Sequence, residues 1–213
     1  QDPAKYKDVK TKTGWEGNKS AKRVGKAYNG QRAWGQRTFC GGEELMNRAA
    51  MLLYERVNEY ARLMAVEMGK PVREGRAEVE KCALACDYYA VHAEHFMQTE
   101  MVQTDANRSY VSYDPIVIVL GVMPWNFPFF QVIRFAAPAL MAGNGCVLKH
   151  ASSVPQCALA LEQLFRDAEF PTHLFPVLMI EAAAVVVAVA SPTVHSVPVT
   201  GSGAAGRAVA SSP

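Results

Sequence analysis

The chain has 213 residues, half of them hydrophobic, with 22 Lys and Arg against 20 Asp and Glu for a net charge of +2. That balance fits a globular chain large enough to bury a substantial core. The basic residues are scattered rather than gathered in an aromatic-lined stripe, which excludes a nucleic-acid surface. The most apolar run, residues 182–190, is far below the roughly 20 residues of a membrane span.

Residues 1–30 are polar, rich in Lys and Gly and weakly patterned, which predicts an irregular or strand-bearing arm reaching to about residue 41. From Gly42 to Met68 the apolar positions Leu45, Ala49, Leu52, Leu53, Val57, Tyr60, Leu63 and Met64 recur at helical spacing. Gly69-Lys70-Pro71 stops that helix, and a second is expected from about Arg73 to Phe96. After Asp105 the texture changes. Residues 109–113 and 116–122 read as strands, the second a continuous apolar run of the buried type. A helix at 130–142, a short strand at 146–149, a helix near 154–168 and a strand near 175–180 follow. A short Ala/Val-rich helix, a strand around 194–200 and a helix from Gly203 to Ala210 complete the pattern. Strand–helix alternation predicts an α/β fold, N-terminal helices followed by a doubly wound parallel sheet of five strands.

The five cysteines, Cys40, Cys82, Cys86, Cys146 and Cys157, are odd in number and far apart, without metal-ligand spacing. They are expected to be reduced thiols that pack as small hydrophobes, with no metal site. No apolar stretch follows Gln1-Asp2-Pro3-Ala4-Lys5, so no signal peptide is expected, and the protein is expected to be cytoplasmic.

Two segments carry the chemistry. Gly121-Val122-Met123-Pro124-Trp125-Asn126-Phe127-Pro128 leaves the carboxyl end of the apolar strand, where open α/β sheets bind ligands. Prolines on either side stiffen the loop, and Asn126 fits either an amide donor held for an oxyanion or a side chain tying the loop to backbone. Gly201-Ser202-Gly203-Ala204-Ala205-Gly206 follows a strand and opens a helix, the setting in which close backbone approach and free helix amides bind a phosphate. The two loops are expected to open onto one edge of the sheet.

The run 123–128, the stretch Ala137-Pro138-Ala139-Leu140-Met141-Ala142-Gly143-Asn144, Leu148-Lys149, Glu67-Met68-Gly69-Lys70-Pro71 and Thr200-Gly201-Ser202 with Gly206 together resemble the aldehyde dehydrogenase superfamily, in order and spacing. The likeness covers roughly residues 42–210. It implies a Rossmann-like domain binding NAD or NADP over residues 42–213, an N-terminal arm over 1–41, and a catalytic domain absent from this chain. Asn126 matches the residue that stabilises the thiohemiacetal oxyanion. Trp125, Gly201, Ser202 and Gly206 match residues around the cofactor pyrophosphate, and Lys149 matches the lysine on the adenosine ribose. Ser152 stands where other members carry Glu, which leaves room for a 2′-phosphate. The succinate-semialdehyde branch is suggested by Lys149-His150-Ala151-Ser152 and by Arg134, placed to reach a distal carboxylate. Phe127, Phe130 and Gln131 are expected to line the tunnel beside it.

The family's chemistry needs a cysteine thiolate and a general-base glutamate downstream of the Gly-Ser turn. No cysteine here has the right neighbours, so these 213 residues alone are expected not to oxidise an aldehyde. The full-length activity expected is NAD(P)-dependent oxidation of an aldehyde, succinate semialdehyde to succinate, by a homodimer or homotetramer acting on a small molecule, with neither nucleic acid nor membrane as partner. The reading from another class is an inactive nucleotide-binding fragment or pseudoenzyme with an assembly or regulatory role.

Overall fold

A computed structural model describes residues 17–181 and 184–211. Its elements in chain order are α1 (Gly17–Trp34), α2 (Phe39–Glu55), α3 (Val57–Met68), α4 (Val72–Phe96), β1 (Glu100–Met101), β2 (Tyr110–Val111), β3 (Ile118–Met123), α5 (Phe130–Met141), β4 (Gly145–His150), α6 (Pro155–Asp167), α7 (Val185–Val189), β5 (Val194–Ser196) and α8 (Gly203–Ala210). Residues 1–16 of the expected arm and the start of the Ala/Val-rich segment, 182–183, lie outside the described residues.

The parallel sheet is built on β3. It pairs with β4 on one side, from Ile118↔Gly145 to Met123↔His150, and with β5 on the other. Beyond β4 the segment 174–178 runs parallel as well. The amides of Cys146 and Leu148 donate to the carbonyls of Leu174 and Pro176, and the Leu178 amide donates back to Leu148 at 2.7 Å. Past Ser196 the chain stays beside β3, with Val122 donating to the Pro198 carbonyl and accepting from the Thr200 amide. Counted along the chain, the order across the sheet is third, second, first, fourth, the winding of dinucleotide-binding folds, whose direction reverses between the first strand and the fourth.

Side chains of a buried strand alternate between two faces, and both faces are covered. Val119, Met123, Cys146 and Leu148 pack against α5 and α6, with α2, α3 and α4 forming a further layer over those helices. Ile118, Leu120 and Val147 pack against Val24 and Ala27 of α1 and Val185 and Ala188 of α7. Gly121 is required here. A Cβ at this position would lie 2.3 Å from the Phe135 ring of α5, so β3 and α5 approach each other only across a glycine.

Three expectations are corrected. Residues 17–34 are helix, not an irregular arm, and Ser20, Val24, Ala27, Gln31 and Trp34 form its buried stripe. That stripe is small and polar enough to carry little hydrophobic signal. It holds because Trp34 donates its indole N–H to the Leu140 carbonyl at 2.7 Å and Gln31 donates to that of Gly143 at 2.9 Å, satisfying the end of α5. The expected helix 42–68 begins at Phe39, capped by Thr38, and is interrupted at Arg56. The Arg56 side chain turns to pair with Asp167 at 2.5 Å while the backbone hydrogen bonds run on through it. Finally, the expected strand 109–113 is not in the parallel core: Tyr110–Val111 pairs antiparallel with Glu100–Met101 in a separate exposed arm. The core among the described residues therefore has four parallel segments, not five.

Candidate functional site

Because β3 and β5 are parallel neighbours, the loop after Met123 and the turn after Thr200 leave the sheet at the same end, on either side of the point where the winding reverses. The Pro124–Pro128 loop and the Gly201–Gly206 turn thus share one edge, as expected of two segments that each follow a strand of one parallel sheet.

In the first loop, Trp125 is 52% exposed and Asn126 and Phe127 are exposed beside it. The Asn126 amide makes no hydrogen bond among the described residues, so its N–H groups are free to donate. The loop is held at its far end. Pro128 is buried, and its carbonyl accepts the Nε2–H of His150 at 2.8 Å. The other His150 nitrogen, Nδ1, accepts the Ala151 amide at 2.9 Å. Both ring nitrogens are therefore occupied in the neutral imidazole, which links the end of β4 to the loop. Burial lowers its pKa to about 4, against the pull of the Pro128 and Met123 backbone acceptors.

That link has a consequence for pH. The unfolded imidazole titrates at 6.5, so below that pH the unfolded chain takes up a proton that the native state refuses. Stability is complete above pH 6.5 and falls as pH drops towards 4. At 1.36 kcal/mol per unit, the loss reaches about 2 kcal/mol by pH 5. Urea unfolding of the full-length protein at pH 7.5 and pH 5 should show this loss, and the His150→Gln variant should lack that share of it. An equal pH response in both proteins would remove His150 from the account.

On the other side of the loop, the Lys70 ammonium sits 3.9 Å from the centroid of the Phe127 ring and pairs with Glu78 at 2.5 Å in a buried setting. Glu78 also accepts the amides of Phe129 and Phe130 at 2.8 and 2.9 Å, closing the N-terminus of α5. On α5, the Phe130 ring faces α4, with the Lys81 ammonium 4.1 Å from its centroid. Gln131 and Arg134 follow at helical spacing on one face. Gln131 has a buried Oε1 with no hydrogen-bond partner. Arg134 is exposed and makes no ion pair among the described residues.

Lys149 is 9% exposed, on the β4 position paired with Val122. Burial lowers its pKa, and Glu181 pulls it back up. Ser152 is exposed in the turn before α6. Ser202 caps α8, its Oγ accepting the Ala205 amide at 3.2 Å, which leaves the amides of Gly203 and Ala204 without intrahelical acceptors. Among the described residues, beyond its chain neighbours and its own helix backbone, nothing lies within 4 Å of a Cβ placed on Gly206. Unlike Gly121, it is not demanded by the packing of its own fold.

Four cysteines are buried, and burial pushes their thiols up, away from the thiolate a nucleophile needs. Cys40 is exposed at the start of α2, whose Gly42 lies against Met141 at the C-terminus of α5, away from the loop end of that helix. Among the described residues no group of His, Cys, Asp and Glu could hold a metal ion, and no helix is long and apolar enough to cross a membrane. The residues that sequence reasoning missed are Glu67, Lys70, Glu78 and His150. Glu67, Lys70 and His150 lie in runs that resemble the family's, but neither periodicity nor spacing signals which partners they take.

The strand order and the paired loops at its reversal define a doubly wound α/β domain of the dinucleotide-binding class. Residues 1–213 match the Aldehyde dehydrogenase family, and the chain belongs to it. It is 48% identical over 173 residues to a probable succinate-semialdehyde dehydrogenase [NADP(+)] of Synechocystis, covering 81% of this chain and 38% of the relative. To a succinate-semialdehyde dehydrogenase [NADP(+)] of Mycobacterium leprae it is 40% identical over 210 residues, 97% of this chain and 46% of that protein. Among solved structures, succinic semialdehyde dehydrogenase from Streptococcus pyogenes in complex with NADP+ superposes with a TM-score of 0.92 at 30% identity, covering 95% of this chain and 45% of that one. The chain thus spans less than half the length of these relatives.

Proposed function

We propose that these residues form the cofactor-binding part of an enzyme that oxidises succinate semialdehyde to succinate with NADP or NAD. The domains proposed are an N-terminal segment, 1–41, and a cofactor-binding unit, 42–213. The observation that carries the reading is the meeting, at one sheet edge, of a free amide on Asn126 with the helix-opening Gly201–Gly206 turn, in a chain of aldehyde dehydrogenase sequence.

The residues fit a dinucleotide. Lys149 is a largely buried cation with no hydrogen bond among the described residues, suited to donate to ribose hydroxyls. The free amides at the start of α8, with Ser202, suit an anionic pyrophosphate, and Trp125 flanks the same edge. Ser152 brings no negative charge to repel a 2′-phosphate, which favours NADP. When bound, the nicotinamide supplies the hydride acceptor. Asn126 donates an N–H to the oxygen of the aldehyde as it becomes an oxyanion. Arg134, with Phe127, Phe130 and Gln131 near it, holds the distal carboxylate. The thiolate and general base come from beyond these residues in the proposed enzyme. The exposed apolar arm β1–β2, where Met101 is 66% exposed, fits a homodimer or homotetramer. An assembly or regulatory role without chemistry finds no support among the relatives.

The test is turnover of the full-length protein with succinate semialdehyde, followed as reduction of NADP+ or NAD+. Absence of turnover with both cofactors overturns the proposal. In the same enzyme, Lys149→Ala should weaken cofactor binding by about 1.5–3 kcal/mol, the range for hydrogen bonds to charged groups. Because its ammonium serves ground and transition states alike, kcat at saturating cofactor should change little. An unchanged cofactor Kd would remove Lys149 from the ribose.

A further inference from the structure

Each loop at the edge beside β3 and β4 is followed by a helix whose first amides are buried or half-buried, and an amide withdrawn from water needs an acceptor. In neither helix does the residue at the N-cap provide one: Phe129 before α5 and Val154 before α6 make no side-chain cap. The acceptors come from the stretch 67–78, which ends α3 and opens α4. Glu67, 7% exposed, takes the amides of Gln156 and Cys157 at 2.6 and 2.8 Å. Glu78 takes those of Phe129 and Phe130 with one oxygen and the Lys70 ammonium with the other.

The stretch itself is closely packed. Gly69 closes α3 in the left-handed region at φ 73°, and Pro71 precedes α4. A Cβ on Gly75 would lie 3.0 Å from the Cα of Ala61, so α3 and α4 are in backbone contact. A charged acceptor shared by two amides makes strong, directional bonds and matches the positive end of a helix.

We infer that residues 67–78 act as a double clamp with separable duties. Glu78, with Lys70 above the Phe127 ring, positions the loop carrying Asn126, while Glu67 positions the turn carrying Ser152. All three are positioning residues. The inference rests on the proposed reading of Asn126 and Phe127 as the aldehyde side of the site and 149–154 as its cofactor side.

The test uses the full-length enzyme with succinate semialdehyde and NADP+, in the variants Glu78→Gln and Glu67→Gln. Glu78→Gln turns an amide N–H towards the Lys70 ammonium and so breaks the pair that steadies the loop. Since displacements near 1 Å can slow catalysis about a hundredfold, kcat should fall roughly tenfold to a hundredfold with cofactor Kd within about twofold. In Glu67→Gln the new N–H₂ faces backbone amides at the start of α6. Cofactor Kd should rise roughly tenfold, with kcat at saturating cofactor within about threefold. Hydrogen exchange should accelerate at 129–132 in the first variant and at 156–158 in the second.

If Glu78→Gln alone does not fold, Lys70→Met combined with Glu78→Gln keeps an acceptor for both amides, buries no charge, and supplies the same readings. Equal changes in kcat and cofactor Kd in both variants would overturn the clamp, as would unchanged kcat in a Glu78 variant whose exchange at 129–132 rises. If the wild-type enzyme oxidises no aldehyde, the proposed function fails, and the clamp is still decided by cofactor Kd and local exchange, which must separate between the two variants.

Discussion

Replacing Asn126 by Ala in the full-length enzyme should lower kcat about 10²- to 10³-fold, the effect of removing one oxyanion donor, equivalent to about 2.7–4 kcal/mol of transition-state stabilisation. The side chain is exposed and bonds to nothing in the described chain, so little of that loss can come from the fold. Thermal unfolding should stay within about 0.5 kcal/mol of wild type, as for other surface changes free of special contacts. Cofactor Kd should also hold, because Asn126 is assigned to the aldehyde oxygen and not to the dinucleotide. Asn126→Asp should be at least as slow, since a carboxylate would face the oxyanion it ought to stabilise. Single-turnover rates, cofactor titration and melting curves on the same samples separate these expectations. A variant that keeps kcat within a few-fold while losing stability would show that Asn126 serves the loop rather than the reaction.

Substitution of Arg134 should act on specificity instead. It stands on α5 at helical spacing from Gln131, starting from the loop that holds Asn126, with a guanidinium engaged in no ion pair among the described residues. Such a planar fork holds a carboxylate through two parallel hydrogen bonds. Arg134→Ala should therefore cost kcat/KM for succinate semialdehyde roughly 2–5 kcal/mol, the range for removing one side of a desolvated charge pair, mostly through KM. Butanal, which lacks the carboxylate, should be oxidised about as well as before. Arg134→Lys should recover part of the loss, because a point charge replaces the fork. Should both aldehydes lose activity equally, Arg134 is structural, and the assignment of a dicarboxylic semialdehyde loses its main support within this chain.

The setting of Asn126 was legible in the sequence for a physical reason, whereas Arg134 was singled out by the family resemblance. Asn126 lies between prolines just past a continuous apolar run, and Arg134 lies eight residues further along a helix with clear periodicity. Both are exposed and stand at fixed offsets from local features, although the loop that carries Asn126 is itself anchored through Glu78 and His150. Glu78 and His150 are the opposite case. Each is a polar residue buried through partners remote in sequence, Phe129 and Phe130 for one and Pro128 for the other. Lys70 is similar: its neighbours show a helix stop, but only the packed structure sets it over Phe127.

The sequence by itself determined the alternation of strand and helix after Asp105, the helix stop at Gly69, and the loops at the carboxyl ends of two strands. Those features follow from local periodicity and turn chemistry, which a window of a few residues contains. Tertiary structure alone decided the reversal of strand order between β3 and β5, which makes one edge out of two distant loops. It also turned a weakly patterned arm into α1, because Val24, Ala27 and Trp34 become helix-stabilising only once a sheet face and the end of α5 cover them. Tyr110–Val111 pairs antiparallel with Glu100–Met101, only nine to eleven residues earlier in the chain, because a strand's partner is set by its packing context and not by its own residues alone.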